Sequence, residues 1–320
     1  MNEKEIFLKA EEWLIKEFDI AIISVIKTWG SSPRPVGSSM IVNSKNEIVG
    51  SVSGGCIENF VFAKALEVIK SNRFQILEFG VTNSQAWEVG LTCGGRIKVL
   101  VEKFSREDLG IIKKINNIFN SEGHIILATN LSNGRREVLE KKNSEYISSK
   151  IEKIKTTNWF LKLFTSQFKV IIIGAVHISE PLIALAKTLS FKIYLIDPRN
   201  NFSKEKFQKN VHLLNEWPDE GLKKIGIDEK TSIVTLTHDP KLDDPALLYA
   251  LSSNAMYIGS LGSKKTHAAR IKRLEKKGFK KEQLNRIHGP IGLSINAKTP
   301  AEIACSIISQ IILRKNKNEI

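Results

Sequence analysis

The sequence predicts an α/β protein, with a doubly wound parallel sheet in the C-terminal part and an α+β domain ahead of it. Three observations predict it. Beyond residue 168, short apolar runs alternate with helix-forming stretches, the pattern of strands joined by crossover helices. The first run, Val170-Ile171-Ile172-Ile173, ends in Gly174, and Asp197 follows about 20 residues later, as in the opening unit of a Rossmann-like sheet. Before residue 105 the order is irregular, with a hairpin set among helices.

In chain order, residues 3–18 carry Ile6, Phe7, Leu14 and Ile15 on one helical face. Residues 20–26 are almost wholly apolar, which predicts a central strand covered on both faces. The loop 29–37 has two prolines that stiffen it and glycines that bend it, holding Arg34 in place. Residues 38–42 and 47–52 pair as a hairpin across Asn43-Ser44-Lys45-Asn46. A helix to Ser71, a strand over 75–79 and a strand over 96–102 complete the domain 1–104. Residues 105–167 form an extension: a helix over 109–119, a strand over 124–129, and from 141 a lysine-rich stretch read as linker with some helical content. The domain 168–320 then runs strand, helix over 179–189, strand over 192–196, further strands over 232–237 and 255–258, and a short edge element over 284–287. Its last helix opens with the capping box Thr299-Pro300-Ala301-Glu302 and has Cys305 at an apolar, core-facing position.

Composition narrows the function. The 320 residues are 42% hydrophobic and 26% charged, as in a globular protein. No apolar run approaches the length of a membrane span, and the polar start shows no secretory signal. Three widely spaced cysteines fit a reducing cytoplasm rather than a disulfide framework. The net charge of +14 comes from lysines spread over helices, without interleaved stacking aromatics, so it reads as a solvated surface and not a nucleic-acid groove.

The candidate chemistry centres on two Gly-rich turns bearing thiols. Ser53-Gly54-Gly55-Cys56-Ile57-Glu58 joins a strand to a helix. Its glycines permit an unusual turn and close approach of another molecule, and a helix start favours an anion such as a thiolate. Gly90-Leu91-Thr92-Cys93-Gly94-Gly95 repeats the pairing of thiol and glycines. In the second domain, Gly174-Ala175-Val176-His177 keeps the first glycine of a dinucleotide fingerprint but has Val176 where the second belongs, so NAD(P) binding is not favoured there. Asp197 is spaced to meet a ribose hydroxyl. His238, after a buried strand, reads either as a base or ligand, or as a helix cap. Gly259, Ser260, Gly262, Ser263 and Lys264 form a candidate anion cradle before a helix, and His288-Gly289-Pro290 is a special-backbone loop at the same sheet edge.

These motifs, in this order and spacing, resemble the xanthine dehydrogenase accessory factor family (XdhC/CoxI). The match includes the loop from Gly30 to Gly37, both thiol turns, Asp197-Pro198-Arg199, Thr237-His238-Asp239, Tyr257-Ile258-Gly259-Ser260-Leu261-Gly262-Ser263 and His288-Gly289-Pro290-Ile291-Gly292-Leu293. Departures fall at Val176, where the family has Gly, and at Ser294 and Asn296, where it has Asp and Gly. The resemblance implies a chaperone that binds molybdenum cofactor (molybdopterin), supports its sulfuration with a cysteine desulfurase, and delivers it to a molybdenum hydroxylase apo-enzyme. Cys56 and Cys93 then either ligate molybdenum as soft donors or hold a persulfide. The second-domain loops hold the phosphate end. Association into a homodimer accompanies this reading. Two alternatives compete with it: a nucleotide-dependent oxidoreductase, and a scaffold between desulfurase and client that holds no cofactor.

Overall fold

The structure, a computed structural model, describes residues 2–30, 34–80, 95–121, 123–140, 148–199 and 211–317. It divides into two compact units, Met1–Ser166 and Gln167–Ile320.

In the first unit, β1 (Ile20–Trp29) is the middle strand of an antiparallel sheet. The order is β3 (Ile48–Gly50), β2 (Ser39–Asn43), β1, β5 (Arg96–Phe104), β4 (Gln75–Phe79). Alternation along β1 loads both faces. Ala21, Ile23 and Val25 pack under Val61, Ala65 and Val68 of α2 (Glu58–Ser71). Ile20 and Ile22 pack with Phe7 and Trp13 of α1 (Glu3–Ile15) and with Ile112 and Ile115 of α3 (Leu109–Asn120). Asn2 and Glu5 close a capping box that starts α1.

The extension is more ordered than its composition implies. β6 (His124–Asn130), β7 (Arg136–Leu139), β8 (Lys150–Ile154) and β9 (Thr157–Thr165) form a second antiparallel sheet in the order β7-β6-β9-β8. The stretch read as a linker with helical content therefore carries two strands, apart from residues 141–147, which lie outside the described residues. The half-exposed edge strand β8 hides its alternation among lysines. In β9 a buried Lys162 breaks the pattern, its Nζ bonded to Ser24 Oγ at 3.1 Å and to Ser39 Oγ.

In the second unit six parallel strands run in the order β12 (Val211–Leu214), β11 (Lys192–Ile196), β10 (Lys169–Ile173), β13 (Thr231–Thr235), β14 (Tyr257–Ser260), β15 (Ile287–His288). Numbered within the sheet this is 3-2-1-4-5-6, the doubly wound order expected, with its switch point between β10 and β13. α4 (Ser179–Thr188) and α9 (Pro300–Lys317) cover Val170 and Ile172 on one face. α5 (Pro218–Ile225), α6 (Pro240–Leu251), α7 (Lys264–Glu275) and α8 (Lys281–Leu284) cover Ile171 and Ile173 on the other. The capping box at Thr299 and Glu302 forms. Cys305 corrects its expectation: it is exposed, because Ala304, Ile307, Ile308 and Ile311 are the α9 residues that face the core. Among the described residues no helix is long and apolar enough to cross a membrane.

Candidate functional site

The turn before α2 is built by one carboxylate. Glu58, the first residue of the helix, accepts from Ser51 Oγ at 2.7 Å, Val52 N at 3.2 Å, Ser53 N at 2.9 Å and Gly55 N at 2.8 Å, and also from Ser53 Oγ. Ser51 Oγ takes the Gly54 N–H and Ser53 Oγ takes that of Ile57. Burial pushes the Glu58 carboxyl up, but the hydrogen bonds from Ser53 and Ser51 prevail and hold it at about 2. Gly54 and Gly55 have φ of 79° and 123°, a backbone that side chains rarely adopt, and both are exposed. A Cβ at Gly55 would meet nothing within 4 Å, so its outer side is open. The Cys56 thiol beside it is half-buried against the α2 core. The positive end of α2 thus already holds an anion, and it is Glu58. The expected thiolate at this position shares its helix start with a carboxylate.

At the C-terminal edge of the second sheet the register aligns Ile173 with Thr235, Thr235 with Ser260, and Gly259 with His288. The loops leaving these strands are neighbours. Gly174, at φ 97°, packs so tightly that a Cβ there would collide with Thr237 Cγ2. The N–H groups of its turn are engaged: Gly174 N with Ile196 O, Ala175 N with Asp197 Oδ2, and Val176 N with Ser179 Oγ. Asp197 is buried, and besides Ala175 N it takes Arg199 N and Nε on Oδ1 and Arg199 Nη2 on Oδ2. Burial raises its carboxyl, and these bonds outweigh that and hold it below the ordinary range. Both oxygens are therefore saturated, and a ribose hydroxyl would have to displace Arg199.

The expected anion cradle divides into packing and capping. Gly259 is a close-approach glycine, since a Cβ there would strike Ile291 Cδ1 at 2.5 Å. Ser260 is buried and bonded to Thr235 Oγ1. Ser263 caps α7, accepting from Thr266 N at 3.1 Å, and Lys264 is exposed at the first helical position. His288 stacks on Tyr257 with centroids 4.9 Å apart, and burial, followed by Arg314, lowers its pKa. Gly289 packs on the His267 ring, where a Cβ would collide with Nδ1. His177 and His238 are exposed, His238 with a left-handed φ of 61°. Arg34 is exposed too. Cys93 and Gly94 lie outside the described residues, among which no cluster of three metal-ligating side chains occurs.

Sequence reasoning missed the charge behind this cradle. Arg270 of α7 is 2% exposed; its Nη2 donates to Leu261 O at 2.7 Å and stands 3.8 Å from Asp243 Oδ2, too far for a hydrogen bond. Its Nε and Nη1 meet no acceptor among the described residues. Burial raises the Asp243 pKa, against the Thr237 Oγ1 bond at 2.6 Å, and lowers that of Arg270. Orphaned buried donors under a Gly-rich helix start suit an anion. In sequence, Arg270 is indistinguishable from the other bases of Lys264–Glu275.

Comparison with known proteins gives concordant results. The family described as "XdhC Rossmann domain" matches residues 170–311, and "XdhC and CoxI family" matches residues 13–80. The chain is 24% identical to a Bacillus subtilis protein described as a probable xanthine dehydrogenase subunit, covering 95% of this chain and 96% of that protein. It is 23% identical to the molybdenum cofactor insertion chaperone PaoD of Escherichia coli, covering 97% and 88%. The crystal structure of a xanthine dehydrogenase from Bacillus halodurans shares the fold, with a TM-score of 0.79, 24% identity and coverage of 97% and 96%. With one model of this family matched in each unit, the chain belongs to the XdhC and CoxI family.

Proposed function

We propose that the chain is an accessory factor that takes molybdenum cofactor as cargo, supports its sulfuration and delivers it to a molybdenum hydroxylase apo-enzyme. The names of the Bacillus subtilis and Escherichia coli relatives supply the class of cargo and client. In this chain the reading is carried by the preformed turn at Cys56. Glu58 holds that turn without help from an occupant, so cargo can enter and leave without rebuilding it. A half-buried thiol flanked by exposed glycines is a soft ligand that a bulky metal centre can approach. Cys56, together with Cys93, touches the molybdenum or holds sulfur in transit from a cysteine desulfurase. In the second unit, Ser263, Lys264 and the orphaned donors of Arg270 are groups suited to an anion. The engaged Gly174 turn and the saturated Asp197 argue against a nicotinamide dinucleotide there. Action in the cytoplasm as a homodimer completes the proposal, and light scattering checks the dimer.

The test is a Cys56→Ala, Cys93→Ala double variant co-expressed with a molybdenum hydroxylase. The account predicts a folded protein that leaves its client largely inactive. Client activity equal to that with the parent would remove the thiols from the mechanism.

A further inference from the structure

We infer that the first unit contains a second ligand site, a cleft between its two sheets that takes a flat aromatic anion. The cleft follows from an irregularity in β1. Up to Val25 the strand alternates regularly, and the face carrying Ser24 and Ile26 looks towards the second sheet, where Ile26 packs with Leu100 and Phe160. A register shift between Val25 and Lys27 then reverses the alternation. Lys27 and Trp29 consequently follow Ile26 onto the same face instead of turning towards α2. Long polar groups now stand where a sheet-to-sheet core would continue, and a cavity of about 740 Å³ opens between this face and the second sheet. That volume lies within the range of small-molecule sites, roughly 300–1,000 Å³.

The lining specifies the ligand. Ile26, Ile76 and Ile151 give an apolar floor. Trp29 is half-buried and offers a ring face, with Lys27 Nζ 4.7 Å above its centroid. Lys98 and Lys150 add positive charge, against Glu78 as the lining carboxylate. Lys98 pairs with Glu78 at 3.1 Å and Lys150 with Glu152 at 3.0 Å, whereas Lys27 has no carboxylate partner among the described residues. Ser149 Oγ accepts from Leu163 N at 3.0 Å, and its own proton, which meets no acceptor among the described residues, can donate to a ligand. A planar ring slides onto Trp29 while Lys27 swings from the ring to the anionic group. A hydrophobic anion without a ring would leave Trp29 unused, and a neutral ring would leave Lys27 unused. The pterin of molybdenum cofactor has this chemistry. Naming it as the occupant rests on the carrier reading, whereas the preference for a flat anion does not.

The probe is pterin-6-carboxylate, titrated into the full chain and followed by its own fluorescence, with inorganic phosphate as a control for charge alone. The parent is expected to bind saturably. Trp29→Ala and Lys27→Glu are each expected to weaken binding about tenfold, the scale of losing one stacking or charge contact. Lys27 is exposed, so its variant keeps the parent's melting temperature and reports on binding even if Trp29→Ala loosens the fold. Lys187→Glu, an exposed charge of the second unit, is expected to bind like the parent. No binding to the parent, equal binding by all variants, or competition by phosphate alone at the same concentration would overturn the site. Loss in Cys56→Ala only would overturn the cleft and leave the carrier reading intact. A parent that binds the probe at the cleft yet retains no molybdopterin would uphold the cleft and defeat the carrier reading.

Discussion

The turns at Cys56 and at Gly174 begin from the same ingredients, a strand running through glycine into a helix, and end in opposite states. In each, a carboxylate from the chain takes a backbone N–H of the turn: Glu58 at the first and Asp197 at the second. At Cys56 the glycines stay exposed and nothing lies within 4 Å of a Cβ at Gly55. At Gly174 the glycine is there because Thr237 lies against it. The difference teaches that a Gly-rich turn marks a backbone shape, and that accessibility is decided by what packs on it. One turn is held and open, the other held and filled.

Substitutions sharpen the contrast. Gly174→Ala meets both a φ of 97° and a clash with Thr237, and should cost about 3 kcal/mol or more, read as a lower melting temperature. Glu102 is the control for burial without a hydrogen-bonded cage, since it is 5% exposed and accepts from Thr129 Oγ1 at 3.1 Å. Burial pushes it up to about 7 against the pull of Arg136, Thr129 and Lys162. The folded state therefore keeps its proton after the unfolded chain, near 4.5, has released it. Stability should fall by about 2–3 kcal/mol as pH rises from 4.5 to 7, and Glu102→Gln should flatten that slope in denaturation curves.

Glu58 has the opposite sign. Its folded pKa of about 2 lies below the ordinary 4.5, so its contribution is present above 4.5 and is lost as pH falls through 2. Glu58→Ala should cost about 2 kcal/mol at neutral pH, and Glu58→Gln should remove that part of the acid transition. The smallest effect belongs to Gly55→Ala, about 1 kcal/mol, because only backbone strain opposes it. Equal costs at Gly55 and Gly174 would erase the distinction between the two turns.

What sequence reveals follows the same division. Most of the parallel sheet was legible because β10, β13 and β14 are buried along their whole length and end in glycine or polar turns, whereas the half-exposed edge strand β12 was not read. In the second sheet of the first unit β6 was legible, but β8 and β9 were not, since β8 is an edge strand rich in lysine and Lys162 interrupts β9. The Cys56 turn was visible in its glycines, but the reach of Glu58 back to Ser51, seven residues earlier, was not. Gly259 and Gly289 looked like ligand cradles and are packing sites under Ile291 and His267. Arg270 was hidden because burial of one base among several is set by Leu261 and Asp243, from other elements.

The carrier account meets its most direct test when purified chain is incubated with molybdopterin, passed through gel filtration and assayed for pterin. The account predicts pterin co-eluting with the parent protein and lost from the double cysteine variant. Protein that emerges free of pterin would contradict it and leave a scaffold that bridges desulfurase and client without holding cargo.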